Sequence, residues 1–509
     1  MKLNQIRAGV SLSFVSMGIK NIIGLIYLPI MLRMMGQSEF GMYSLIMSIV
    51  SYITILDFGF GNAIIRYTTK LLAKGETKKM YEMFGMFIIL YSFIGVVSFV
   101  LGMSIYYNVD YLFGDKFTFI ELNKISVMLI IASLNVAISF PFSIFSSVIV
   151  ANEKFVFYKL VSIVVAILNP IIMIIVLFVG YRSIGMLLVT TFFNIFAFAI
   201  YTWYSFHTLK IRISFKNVDL SYLKEISNYS FWIFINSIID RVYWSSGQFI
   251  IGVNYGPAYI APYSIAVQLQ SVYVNFTQAF SGVFLPKITT MVTKKVDLSE
   301  ISNLFIRIGR VQYIVVSFVL FVFFLFGERL VVLWVGEENI DSYLMALLFF
   351  IASVIPMIQN MGILTLQSMN KMKFYSILNI SIGIVSIIFA IPLVKIYGSL
   401  GYVITISVAL LVGQGLLMNI YYYRVLKIDI LRFWCQILEI SIIPVCITTL
   451  FYFVANFYLS NSPFMLLLSV LIFTILYFLP LWFFSLNVYE KNLFLVPITK
   501  LLNRKKSSY

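Results

Sequence analysis

Apolar residues run on for twenty or more positions at a time along this chain, broken by short segments that carry most of the charge. Fourteen runs stand out, at about 10–33, 40–65, 84–107, 123–150, 158–180, 183–206, 227–253, 258–285, 309–335, 342–369, 374–396, 400–423, 434–458 and 464–486. About 20 residues at a rise of 1.5 Å cross roughly 30 Å of hydrocarbon, so each run predicts a membrane-spanning helix. The runs are continuous and do not alternate with period two, which excludes a transmembrane β-barrel. The first run follows Lys2 and Arg7 and precedes no small-residue cleavage site, so it is expected to be a retained span rather than a signal peptide. The expected fold is an all-α polytopic membrane protein.

Composition removes the alternatives. Of 509 residues, 61% are apolar and 11% charged, whereas soluble domains hold about 45–50% and about 25%. One histidine, His207, and two cysteines, Cys435 and Cys446, leave no multi-histidine metal site and no disulfide framework. No nucleophile triad or glycine-rich phosphate loop is present, so neither catalysis nor ATP-driven transport has residues to run it, and no cofactor is expected.

The net charge of +16 is mainly a topology signal. Segments on the N-terminal side of the spans hold 28 Lys and Arg residues, whereas the opposite loops hold only Arg33, Lys116, Lys124, Arg182, Arg329 and Lys395. This asymmetry predicts cytoplasmic N- and C-termini and some attraction to anionic membrane lipids. Basic residues scattered over many loops do not make a nucleic-acid site.

Shifting the chain by about 220 residues lays Gly36-Gln37-Ser38-Glu39-Phe40-Gly41-Met42-Tyr43-Ser44-Leu45 on Gly256-Pro257-Ala258-Tyr259-Ile260-Ala261-Pro262-Tyr263-Ser264-Ile265. Ile131-Ala132-Ser133 falls on Ile351-Ala352-Ser353, and at a shift of about 217 Leu209-Lys210-Ile211 falls on Leu426-Lys427-Ile428. Spans 1–6 and 7–12 are then parallel repeats, an architecture of transporters that rock two lobes about a central site. The expected organisation is a six-helix lobe at 1–212, a second at 213–428, and two further spans with a basic tail at 429–509.

The run Leu56-Asp57-Phe58-Gly59-Phe60-Gly61-Asn62-Ala63-Ile64-Ile65-Arg66-Tyr67, followed by Leu72-Ala73-Lys74-Gly75, resembles polysaccharide flippases of the Wzx type. So do the opening residues 1–9 and the stretch Leu32 to Tyr43. This family belongs to the multidrug/oligosaccharidyl-lipid/polysaccharide exporter superfamily. The resemblance implies a flippase that moves an undecaprenyl-diphosphate-linked oligosaccharide across the bacterial cytoplasmic membrane by ion-driven alternating access. It also implies glycosyltransferases and a polysaccharide polymerase as pathway partners. The alternatives are a multidrug or toxin cation antiporter of the same fold, and a membrane polysaccharide polymerase.

Charge within a span is expensive unless it faces a cavity or a partner. Lys20 lies about ten residues into span 1 and shares a helical face with Ser13, Ser16 and Tyr27. Its repeat partner is Asp240, followed by Arg241. Lys20 and Arg241 could together grip a diphosphate; alternatively Asp240 pairs with one of them and only neutralises its cost. Asp57 stands beside Gly59 and Gly61, where a hinge, an unwound turn or a backbone-capping role is expected. Arg66 suits either the incoming diphosphate or an interfacial anchor. Polar stripes on span 4 (Asn135, Ser139, Ser143, Ser146) and span 8 (Gln270, Tyr273, Thr277; Ser271, Asn275, Gln278) suit sugar hydroxyls or inter-helix hydrogen bonds. Through lipid II flippases, the resemblance further implies a sodium site from Asp240, Asn379 and Thr405. A proton on Asp240 is the other candidate coupling ion.

Overall fold

The computed structural model describes residues 2–216, 234–235, 238–239, 241–294, 296–369, 371–458 and 462–491. Among them the regular structure is helical throughout. The first eight helices are α1 (Lys2–Met35), α2 (Gln37–Ile53), α3 (Phe60–Lys74), α4 (Thr77–Tyr107), α5 (Val109–Phe113), α6 (Phe119–Ala151), α7 (Phe155–Phe178) and α8 (Ser183–His207). Twelve helices or helix pairs among the described residues are long and apolar enough to cross a membrane, with α2 and α3 together making one of them. Of the other two expected spans, 258–285 falls on the helix Ile260–Thr293, and 227–253 lies partly outside the described residues. The protein is a multi-pass membrane protein.

Local chemistry sets the helix ends. A reciprocal capping box starts α6: Thr118 accepts from the Glu121 amide and Glu121 accepts from the Thr118 amide, satisfying two donors that the helix itself cannot. Gly75 closes α3 in the left-handed region, the usual helix stop. The span begun by Ser399–Leu410 widens into a π-helical segment at Leu411–Leu417, around Gly413 and Gly415.

Packing groups the chain into two units. The first holds Met1–Ile265 and Ser376–Ile406. Its outward apolar positions, such as Phe93, Val96 and Val100 on α4, are exposed and suit lipid. Inside it, Glu39 is buried and accepts from Lys124 and from the Ser183 hydroxyl, tying α2, α6 and α8 together. The same unit joins α2 to residues 241–257. Ser51 Oγ donates to Ser245 Oγ at 3.0 Å, Tyr52 meets the Arg241 carbonyl at 3.1 Å and the Ser246 hydroxyl, and a Cβ at Gly41 would collide with the Pro257 carbonyl. Gly41 is therefore required by close backbone approach.

The second unit holds Ala266–Tyr375 and Ser407–Tyr509. Arg310, on the helix Leu298–Val335, is buried there with Glu490. Its Nε and Nη2 donate to the two carboxylate oxygens at 2.6 and 3.3 Å, Nη1 donates to the Gln436 carbonyl (3.3 Å) and Nη2 also to the Ser485 carbonyl (3.2 Å). Asn487 and Glu490 cap one another, each backbone amide donating to the other's side chain at 2.9 Å. Arg310 counts among the basic residues that orient the chain, yet its charge is consumed inside the protein.

Candidate functional site

A cavity of about 590 Å³ opens in the first unit between α1, α6, α7 and α8. From α1 it is lined by Lys20, Ile23, Gly24 and Tyr27, and from α6 by Ser143 and Ser146. Helix α7 contributes Tyr158, Ser162, Val165, Ala166, Asn169 and Pro170, and α8 contributes Asn194, Ala197, Phe198 and Tyr201. The spacings explain the wall: Tyr158, Ser162, Ala166 and Asn169 recur every three or four residues on one helical face. Pro170, also on the wall, lies inside α7 and has no amide to donate to the carbonyl four residues back.

The chemistry of the wall is specific. Lys20 supplies a cation, and among the described residues no carboxylate lines the cavity. Hydroxyls and two amides surround it, and Asn169 Oδ1 is buried without a hydrogen-bond partner. Tyr27 Oη donates to Met173 Sδ at 3.0 Å, holding that ring on the wall. Such a site offers one charge-assisted donor to an anion, and exchangeable donors and acceptors to a polyhydroxyl molecule.

The expected site residues do not all meet here. Lys20, Ser143 and Ser146 line the cavity; Asp57, Arg66, Arg241, Gln270 and Asn275 do not. Asp240 lies outside the described residues. Arg241 is half-buried, and its carbonyl receives the Tyr52 hydroxyl. Gln270 is buried in the second unit, where Nε2 donates to Ser353 Oγ at 3.4 Å, an inter-helix contact; Asn275 is half-buried. Asn379 and Thr405 are both buried in the first unit, and the Thr405 hydroxyl donates to the Gly401 carbonyl at 2.7 Å.

Asp57 sits where span 2 is broken. A 3₁₀ turn over Thr54–Asp57 is followed by Phe58 at φ +50° and Gly59 at φ +72° before α3 begins. Tyr91 Oη on α4 donates to Asp57 Oδ1 at 2.5 Å. Beyond the break, α3 buries Phe60, Ala63, Ile64, Tyr67 and Leu71 and exposes Asn62, Arg66, Thr69 and Lys70. This exposed face continues into a basic turn in which Lys79 lies 2.8 Å from Glu76 and holds that carboxyl below its usual range.

Tyr158, Ser162, Asn169, Asn194 and Tyr201 were not singled out by sequence reasoning. Their signal was available, in the three-to-four-residue spacing along α7 and in the Asn169-Pro170 pair inside a very apolar helix.

A family described as "Polysaccharide biosynthesis protein" matches residues 6–292. Comparison with curated proteins gives no match. Among solved structures, a lipid II flippase MurJ in an inward closed conformation aligns with a TM-score of 0.70 at 14% identity, covering 96% of this chain and 100% of that one. An inward-facing multidrug resistance MATE family transporter of the MOP superfamily gives 0.62 at 14%, over 80% of this chain and 95% of that one. A MOP superfamily transporter from Pyrococcus furiosus, described as having a binding pocket of reverse polarity, gives 0.57 at 14%, over 84% and 96%. The chain shares their fold.

Proposed function

The chain belongs to the polysaccharide biosynthesis protein family, and we propose that it is a flippase for an undecaprenyl-diphosphate-linked oligosaccharide in the bacterial plasma membrane. The observation that carries this reading is the Lys20 cavity, with its ammonium and its wall of hydroxyls, amides and tyrosine rings. A phosphate oxygen takes a charge-assisted hydrogen bond from the ammonium, and sugar hydroxyls exchange hydrogen bonds with the serines and asparagines. An organic cation would meet a like charge and no carboxylate on this wall, which favours the flippase over a cation antiporter.

In this proposal both termini are cytoplasmic, and the lobes 1–212 and 213–428 move against each other. Arg66 on the exposed face of α3 meets the headgroup at entry, and Arg241 supplies a second cation during the cycle. The contacts of α2 with residues 241–257 then run from mid-span at Tyr52 and Arg241 to the outer end at Gly41 and Pro257, and their parting releases the substrate outward. Energy comes from a sodium or proton gradient through Asp240, with Asn379 and Thr405 as oxygen ligands in the sodium case. Glycosyltransferases and a polymerase act before and after this step.

Proteoliposomes carrying the protein should move a fluorescent undecaprenyl-diphosphate oligosaccharide between leaflets faster than protein-free vesicles. Equal rates overturn the proposal. A disulfide between Ser51→Cys and Ser245→Cys should stop that movement, and a reductant should restore it. Reporter fusions at Asn108 and Asn339 should be external and one at Lys294 internal.

A further inference from the structure

Several hydroxyls of the Lys20 cavity already have their protons engaged within the protein. Ser143 donates to the Phe140 carbonyl and Ser146 to the Ser143 carbonyl, both at 2.7 Å, and Tyr27 donates to Met173 Sδ at 3.0 Å. Each of these oxygens then offers a ligand lone pairs and no proton. Asn169 adds a further acceptor, since its Oδ1 is buried without a hydrogen-bond partner among the described residues. A carbonyl oxygen left unmatched in an apolar helix is costly. This part of the wall therefore suits a ligand that brings hydrogen-bond donors of its own.

The packing of α1 on α7 sets where Asn169 stands relative to the ammonium. These are the first and fifth candidate spans, so they cross the membrane in the same direction. The Tyr27–Met173 bond fixes their register. Seven residues back from it on each helix stand Lys20 and Ala166, both on the wall and at about the same level. Asn169 is three residues beyond Ala166, or about 4.5 Å along the helix axis at a rise of 1.5 Å per residue. A phosphate held by Lys20 thus has the Asn169 amide one sugar substituent away.

We propose that Asn169 is a specificity-determining residue that reads the sugar bonded directly to the phosphate, by accepting a hydrogen bond from the O–H or N–H at that sugar's 2-position. Lys20 holds the phosphate, and the 2-position is the ring substituent beside it. The terminal torsion of an asparagine is soft, so a small rotation turns Oδ1 to the donor. The Ser143, Ser146 and Tyr27 oxygens accept from the remaining hydroxyls. A sugar with no proton to donate at the 2-position leaves Oδ1 unmatched and binds more weakly. The proposal rests on the reading of Lys20 as the partner of a phosphate.

The test compares two soluble probes, glucose 1-phosphate and its 2-deoxy-2-fluoro analogue, whose fluorine is close to a hydroxyl in size and carries no proton. Saturation-transfer NMR on the full chain in detergent, at about pH 8 where both phosphates are ionised, gives their relative affinities. Glucose 1-phosphate should bind about two- to tenfold more tightly, the worth of one neutral hydrogen bond. Asn169→Leu, which removes the acceptor, should bring the ratio to one. Asn169→Asp keeps an acceptor and should keep the ratio, although its charge weakens the binding of both phosphates. A ratio of one in the wild type, no binding of either probe, or an unchanged ratio in Asn169→Leu overturns the proposal. Leaflet-to-leaflet movement that persists with a ratio of one leaves the flippase reading standing without this one; a ratio that holds where movement fails does the reverse.

Discussion

Lys20 and Arg310 are both cations on long apolar helices, one in each packing unit, and their surroundings are opposite. Arg310 is buried with each of its three guanidinium nitrogens engaged by Glu490 or a backbone carbonyl. Lys20 is exposed to a cavity whose described wall offers hydroxyls and amides, but no acid. A buried pair neutralises its own cost and leaves nothing for a ligand. An ammonium in a polar cavity without a counter-charge keeps its charge for a ligand. Position in a span therefore does not distinguish a structural cation from a functional one; what it faces does.

The sharpest contrast is in stability. Arg310→Ala leaves Glu490 buried and uncompensated and should cost about 3–5 kcal/mol, read as a large fall in thermal stability in detergent. Arg310→Met combined with Glu490→Leu should recover most of that loss, since no buried charge remains. If the single and double variants are equally destabilised, the ion pair is not what the arginine provides. Lys124→Ala is the intermediate case: its partner Glu39 is buried, but Lys124 itself is about one-third exposed. A cost of about 1–3 kcal/mol is expected, with Ser183 retaining part of the carboxylate's hydrogen bonding. Lys20→Met should change thermal stability by less than about 1 kcal/mol, because no partner among the described residues is stranded. A loss as large as that of Arg310→Ala would place Lys20 in the structural class and remove the basis of the site.

These differences also mark what the sequence reveals and what it hides. Spans are legible because their length and apolarity are local properties, and the helix break was foreshadowed by Gly59 and Gly61 beside Asp57. Lys20 was legible from the energetic cost of its depth. The wall opposite it was not, because the polar positions of α7 are spaced through a strongly apolar helix and look sporadic until one face is isolated. The Arg310–Glu490 pair spans 180 residues, and no local pattern joins two such positions. Arg310 instead looked like one more basic residue at a membrane boundary. Gln270 was read for its hydrogen-bonding groups, which the fold turns to Ser353 within the second unit.

The central claim is that Lys20 provides the charge that receives the substrate's phosphate. The most direct measurement compares leaflet-to-leaflet movement of the undecaprenyl-diphosphate oligosaccharide in proteoliposomes carrying equal amounts of wild-type, Lys20→Ala and Lys20→Arg protein of matched thermal stability. Loss of movement in Lys20→Ala with partial retention in Lys20→Arg, whose charge survives while its geometry changes, is the predicted result. Wild-type rates in Lys20→Ala would contradict the account.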